Sequence, residues 1–175
     1  MRFAGGFTLL EVLVAVFVLA VGALGAAATQ LTALRTRHQS SLMSSGVQLA
    51  GSLADSMRAN LETMRAADSA NPYLQLNYDA GAAAPQPPAT SCFAGAGCSA
   101  AQLADADLYQ LKRALHDGFP GGRVLVCRDS QPRDGALSWA CAGAASAAIV
   151  IKLGWREGAG DVAPSVAIAL PGAIE

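Results

Sequence analysis

Gly5-Gly6-Phe7-Thr8-Leu9-Leu10-Glu11 opens a stretch in which residues 12–28 carry no polar side chain at all. The wider run, residues 7–34, holds a single charge, Glu11. As a helix rising about 1.5 Å per residue it would be about 42 Å long, enough to cross a hydrocarbon core of about 30 Å. Arg2 precedes it and Arg35, Arg37 and His38 follow it, so flanking charge does not orient the segment.

Working outward, all eight prolines fall at Pro72 or later. Nothing in residues 7–69 therefore forbids one continuous helix, which would reach about 90 Å. In its second half Ala50, Leu53, Ala54, Met57, Leu61 and Met64 recur at steps of three and four, an apolar stripe expected to pack on a globular head. Asp55–Arg58, Arg58–Glu62 and Glu62–Arg65 are neighbours on the outer surface, each adding about a few tenths of a kcal/mol. Asn71-Pro72 ends the pattern.

The chain has 175 residues, room for one compact domain plus an appendage. Twelve basic against 13 acidic residues leave a net charge of −1. A nucleic-acid binder relies on a basic excess to neutralise phosphates, so that class is excluded as a default. Apolar residues make up 53% and charged ones 14%, against about 25% charged in soluble domains. The chain is neither disordered nor ordinary cytosolic in composition.

Four cysteines, Cys92, Cys98, Cys127 and Cys141, all lie beyond the apolar run. An even count suggests two disulfides and an oxidising compartment, outside the inner face of a membrane. Of the three connectivities, the sequence-local pairs Cys92–Cys98 and Cys127–Cys141 are favoured. Neither spacing makes the tight knuckle that zinc prefers, and neither His38 nor His116 stands beside a pair.

Residues 72–100 lack regular pattern and read as a loop stapled by Cys92–Cys98. Ser99 and Gln102 make a capping box, after which Ala104, Leu108, Leu111 and Leu115 form one face of a helix stopped by Gly118. Residues 123–127 and 137–141 read as strands around a turn-rich connection. Ile149, Ile151, Leu153 and Trp155 alternate with Val150, Lys152 and Gly154, a half-buried strand, and Val166, Ile168 and Leu170 repeat the alternation. The expectation is an α+β fold: a long N-terminal helix, its first half membrane-spanning, on a small antiparallel sheet.

Candidates for catalysis are few. Two histidines, both read as solvated, leave little for general base chemistry. Asp105 and Asp107 point to different sides of a helix, so no shared carboxylate site is expected. Asp129 and Asp134 bracket a loop that lacks the ligand density and terminal glutamate of a calcium site. No phosphate loop, metal motif or nucleophile elbow is present. No enzyme activity, cofactor or metal is expected.

Glu11 is the unusual residue. An acid at the centre of a membrane helix costs about 2.5–3.5 kcal/mol on insertion scales and ordinarily has a partner. A short leader with one Arg, two glycines, then Phe7 and Glu11 ahead of a retained apolar helix resembles the class III signal sequence of type IV pilins and type II secretion pseudopilins. The resemblance to this type IV pilin-like family implies that a membrane aspartic protease, the prepilin peptidase, cuts between Gly6 and Phe7 and methylates the new Phe7 amine. It implies that Glu11 pairs with the Phe7 amine of a neighbouring subunit during filament assembly. Gly22 and Gly25 give the helix a slim face for packing in a bundle. The family's locally unwound core segment, often aided by Pro or Gly, has no proline to help it here. Implied organisation is a leader at 1–6, a transmembrane and filament-core helix at 7–34, its amphipathic second half at 35–70, and a disulfide-stapled head at 71–175. Implied partners are other pilins, the prepilin peptidase and inner-membrane lipid. The head would be periplasmic before assembly and at the cell surface afterwards.

Leu53-Ala54-Asp55-Ser56-Met57-Arg58-Ala59-Asn60 resembles a segment of PilV-type minor pilins, the type IV pilus modification proteins. That group implies priming of assembly and a place in the tip complex, with roles in adhesion, twitching or DNA uptake; the head shows no basic or aromatic stripe for nucleic acid. The closest rival is a minor pseudopilin of a type II secretion system. A rival of another class is a soluble secreted domain cut after Ala26-Ala27-Ala28, ahead of Thr29. Glu11 and the very short leader stand against it.

Overall fold

The computed structural model describes residues 8–92, 97–130, 137–156 and 162–170. Helix α1 spans Leu9–Ala59. With no proline and many Leu and Ala, nothing in its interior opposes helix. Its threonines spend their hydroxyls on the helix itself: Thr29, Thr32 and Thr36 donate to the carbonyls of Ala26, Ala28 and Thr32 at 2.8, 3.2 and 3.1 Å. Two compact units divide the chain, Met1–Ser41 and Leu42–Glu175, and α1 passes through both.

The helix expected to run on to residue 69 stops sooner. Asn60 leaves the helical region at φ −95° and ψ 66°, and its side chain accepts from the Thr63 amide at 3.3 Å, capping a four-residue helix α2, Leu61–Met64. Asparagine satisfies an amide at a helix start better than it sits in a helix interior. Its Nδ2 donates to the Ala100 carbonyl at 2.7 Å, so the break also joins α2 to the start of the next helix. Two 3-10 turns, Asp68–Ala70 and Pro72–Gln75, follow. Helix α3, Ala100–Gly118, begins at the capping box expected: Ser99 Oγ accepts from the Gln102 amide at 3.2 Å, and Gln102 Oε1 from the Ser99 amide at 2.9 Å.

Among the described residues, four antiparallel strands form one sheet in the order β1-β2-β3-β4: Asn77–Asp79, Arg123–Arg128, Ile149–Gly154 and Val166–Leu170. Register places Val124 opposite Leu153 and Val126 opposite Ile151, so these share the inner face. There they meet Ala50, Leu53, Ala54 and Met57 of α1 and Ala104, Leu108, Leu111 and Leu115 of α3, all buried. The stripe read from the sequence is core as far as Met57; Leu61 beyond the break is 40% exposed. Of the three helix-surface ion pairs, Asp55–Arg58 forms, at 2.7 Å.

Three differences concern the sheet. Strand β1 lies in the stretch read as loop; its three residues alternate, with Tyr78 half-buried between exposed Asn77 and Asp79, but the run is too short to stand out without its pairing to β2. Residues 137–141, read as a strand, join no ladder and instead cross the outer face of the sheet. Strand β3 is buried on both faces rather than one: Ala140 covers Lys152, and the backbone of Ala163 and Pro164 lies against Gly154.

Candidate functional site

Glu11 stands in the first turn of α1. Thr8 prepares that turn: its carbonyl accepts from the amides of Glu11 and Val12 at 3.0 and 3.3 Å, and its hydroxyl oxygen lies 3.3 Å from the Glu11 amide. A carboxylate here sits at the positive end of the helix dipole and needs no partner from its own helix. Gly6 and Phe7 lie outside the described residues. Around Glu11 the surface is apolar and uncovered: Leu9, Leu10 and Phe17 are each about 70% exposed or more. In water such a surface is unfavourable by about 25 cal/mol per Å². The helix is long and apolar enough to cross a membrane, and lipid or neighbouring apolar helices remove that penalty.

The four cysteines are paired as favoured from the sequence. Cys92–Cys98 has a Cα separation of 5.7 Å and Cys127–Cys141 one of 6.2 Å. The first joins two residues that shortly precede α3. The second binds the outer-face segment to β2.

Among the described residues, titratable groups do not converge on a reaction centre. His38 is exposed on α1, and His116 Nδ1 lies 3.2 Å from the exposed Tyr78 hydroxyl. Asp105 faces solvent, whereas Asp107 accepts from the Tyr73 hydroxyl at 2.8 Å. Burial, with the Asp107 carboxylate beside it, holds the Tyr73 hydroxyl well above its ordinary pKa. Asp68 and Arg128 form a two-pronged pair at 2.6 and 2.8 Å; the guanidinium holds the Asp68 carboxyl below the usual range and the Arg128 value is raised in return. Among the described residues, no group of three or more His, Cys, Asp or Glu is placed to hold a metal.

One polar feature escaped the sequence. Asp129, read as a turn residue, is buried, and its Oδ2 accepts from Lys152 Nζ at 2.5 Å. The lysine alternates with apolar neighbours along β3, the pattern of a solvent-facing charge, so the sequence holds no signal for its burial. Asp134 lies outside the described residues.

Residues 1–27 match the family model described as the prokaryotic N-terminal methylation motif. No curated protein and no solved structure matches the chain at a significant level. The motif covers Glu11 and most of the apolar run, and behind it the described residues form an α+β architecture, a long N-terminal helix and an antiparallel sheet; in its N-terminal segment the chain is similar to type IV pilin-like proteins.

Proposed function

We propose that the chain is a minor pilin of the PilV type, a structural rather than catalytic subunit that takes part in priming and building a type IV pilus. The methylation motif over residues 1–27 supports the pilin-like part of this reading, and the likeness of residues 53–60 to PilV-type minor pilins supports the finer part. In it, the prepilin peptidase cleaves between Gly6 and Phe7 and N-methylates Phe7, and the apolar part of α1 holds the subunit in the inner membrane. The two disulfides support a periplasmic head, because such bonds persist in oxidising compartments. Other pilins cover the apolar helix surface once the subunit leaves lipid.

Glu11 then supplies specificity. Its carboxylate and the Phe7 ammonium of a neighbour are each costly in a low-dielectric surrounding, and each relieves the other on meeting. An insertion penalty is thereby converted into a preference for one axial register between subunits.

Mass spectrometry of the N-terminal peptide from cells that make the protein tests the reading. A mature chain beginning at N-methyl-Phe7 is expected. A chain beginning near Thr29 would overturn it in favour of a secreted domain. The protein should also be found in sheared pili; its absence there, together with a secretion defect in a deletion strain, would favour a pseudopilin.

A further inference from the structure

The segment that crosses the outer face of the sheet is held almost entirely by polar contacts. Trp139 lies under the Arg123 guanidinium, 4.5 Å from its centre, and donates its indole N–H to the Val162 carbonyl at 2.7 Å. The Ala140 carbonyl accepts from Lys152 Nζ. Cys141 is bonded to Cys127. The Ala142 carbonyl accepts from the Ser130 hydroxyl and amide at 2.5 and 3.4 Å. Gly143 passes so close to β2 that a Cβ there would lie 2.5 Å from the Arg128 carbonyl carbon. Yet residues 140–146 are all exposed, and none belongs to the hydrophobic core.

Contacts of this kind each contribute less than it costs to order the residues that make them. Covalent closure through Cys127–Cys141 lowers that cost by restricting the undocked chain. Beneath the segment lies Lys152, with a side chain 3% exposed, paired with Asp129 at 5%. A buried ion pair is held at the expense of its hydration, so lifting the cover is opposed only weakly. The inner-face core does not include the segment and has no need of it.

We infer that residues 137–148 are a strap locked over the buried Lys152–Asp129 pair by the Cys127–Cys141 disulfide. With the two thiols reduced the strap opens and Lys152 meets solvent, while α3 and the inner face stay folded. Opening requires two electrons and two protons, supplied by a dithiol or phosphine, to convert the S–S bond into two thiols. Closing is the reverse, so the outer face of the sheet takes its final form only in an oxidising compartment. The inference does not depend on the proposed function.

The chain has two lysines, Lys112 on α3 and Lys152, which makes acylation a direct readout. The experiment is timed acetylation of the full chain in detergent with N-hydroxysuccinimidyl acetate, read by peptide mass spectrometry. It compares the wild type with Cys127→Ser/Cys141→Ser and with Cys92→Ser/Cys98→Ser. Lys152 should be protected in the wild type and in the second variant, and its acetylation should rise by at least about tenfold in the first, with Lys112 unchanged. Hydrogen exchange in α3 should stay at wild-type level in that variant. Phosphine-reduced Cys92→Ser/Cys98→Ser repeats the comparison if the first variant is not obtained folded. Protection of Lys152 in the reduced state would overturn the inference, as would reactivity in the oxidised state. Collapse of α3 protection together with exposure of Lys152 would also overturn it, because the disulfide would then be holding the whole head.

Discussion

Trp155 occupies the space that a side chain on residue 46 would need: a Cβ there would stand 2.7 Å from Cζ3 and 3.1 Å from Cη2 of the indole. The indole cannot easily retreat, since it is 2% exposed and its ring centroid lies 5.3 Å from that of Phe119. Gly46 therefore lets α1 approach the end of β3 where the indole leaves no room for a side chain.

That closeness predicts opposite outcomes for two glycines of one helix. Replacing Gly by Ala in a helix gains up to about 1 kcal/mol where space is free. Gly51 has nothing within 4 Å of its would-be Cβ, so Gly51→Ala should raise the melting temperature. Gly46→Ala takes the same propensity gain but overpacks the indole, at about 1–3 kcal/mol, and should lower it. Circular dichroism melts of the two variants in one detergent decide the matter; equal shifts would mean that α1 does not dock as described.

Tyr73 links three elements. Its hydroxyl donates to Asp107 on α3 at 2.8 Å, and Asn60 Nδ2, at the end of α1, lies 3.5 Å from the same oxygen. Tyr73→Phe preserves the packing and leaves the carboxylate without this donor, a loss of about 1–2 kcal/mol. Because the folded state holds the hydroxyl protonated above its ordinary range, wild-type stability should also fall as pH rises past about 10, where the unfolded chain ionises. Tyr73→Phe should lack that part of the alkaline decline. Denaturant unfolding between pH 7 and 11 measures both effects.

Asp68 sets an acid limb. Its folded pKa lies below the unfolded value because Arg128 donates to it twice. The contribution is thus fully present above about pH 4, the unfolded value, and is lost as pH falls through the folded one. The carboxylate side is 45% exposed, so solvent screening keeps the contribution to about 1 kcal/mol or less. Asp68→Asn should be less stable than wild type at pH 6, with the difference shrinking as pH falls below about 4. A difference that persists undiminished at pH 2 would assign the effect to packing rather than charge.

What the sequence could carry depended on whether one residue's neighbours determine its state. Glu11 is conspicuous because nothing around it is charged, and the stripe from Ala50 to Met57 needs only helical spacing. Asn60 offered a usable sign: an asparagine three residues before Thr63 is a helix start as readily as a helix interior. The strap gave none. Leu137-Ser138-Trp139-Ala140-Cys141 alternates like a strand, and what removes it from the ladder is the pairing of β2 with β3, a long-range choice. Lys152 was misleading for the same reason, since its burial is made by the strap and not by β3.

Glu11 remains the residue on which the assembly proposal stands or falls. Glu11→Val removes the charge while keeping an apolar helix, so membrane insertion should improve and cleavage between Gly6 and Phe7 should proceed. What should fail is entry into the filament, because the ammonium of the neighbouring Phe7 would be left without a counter-charge in a low-dielectric core. Leaving one buried charge unpaired costs about 3–5 kcal/mol, enough to reduce incorporation by at least about tenfold. Glu11→Asp keeps the charge on a shorter arm and should retain part of it. Quantitative immunoblots of sheared filaments against membrane fractions give the ratio, and N-terminal mass spectrometry of the same samples reports processing. Normal incorporation of a processed Glu11→Val subunit would remove the ion pair from the mechanism and leave α1 packing alone to select the register.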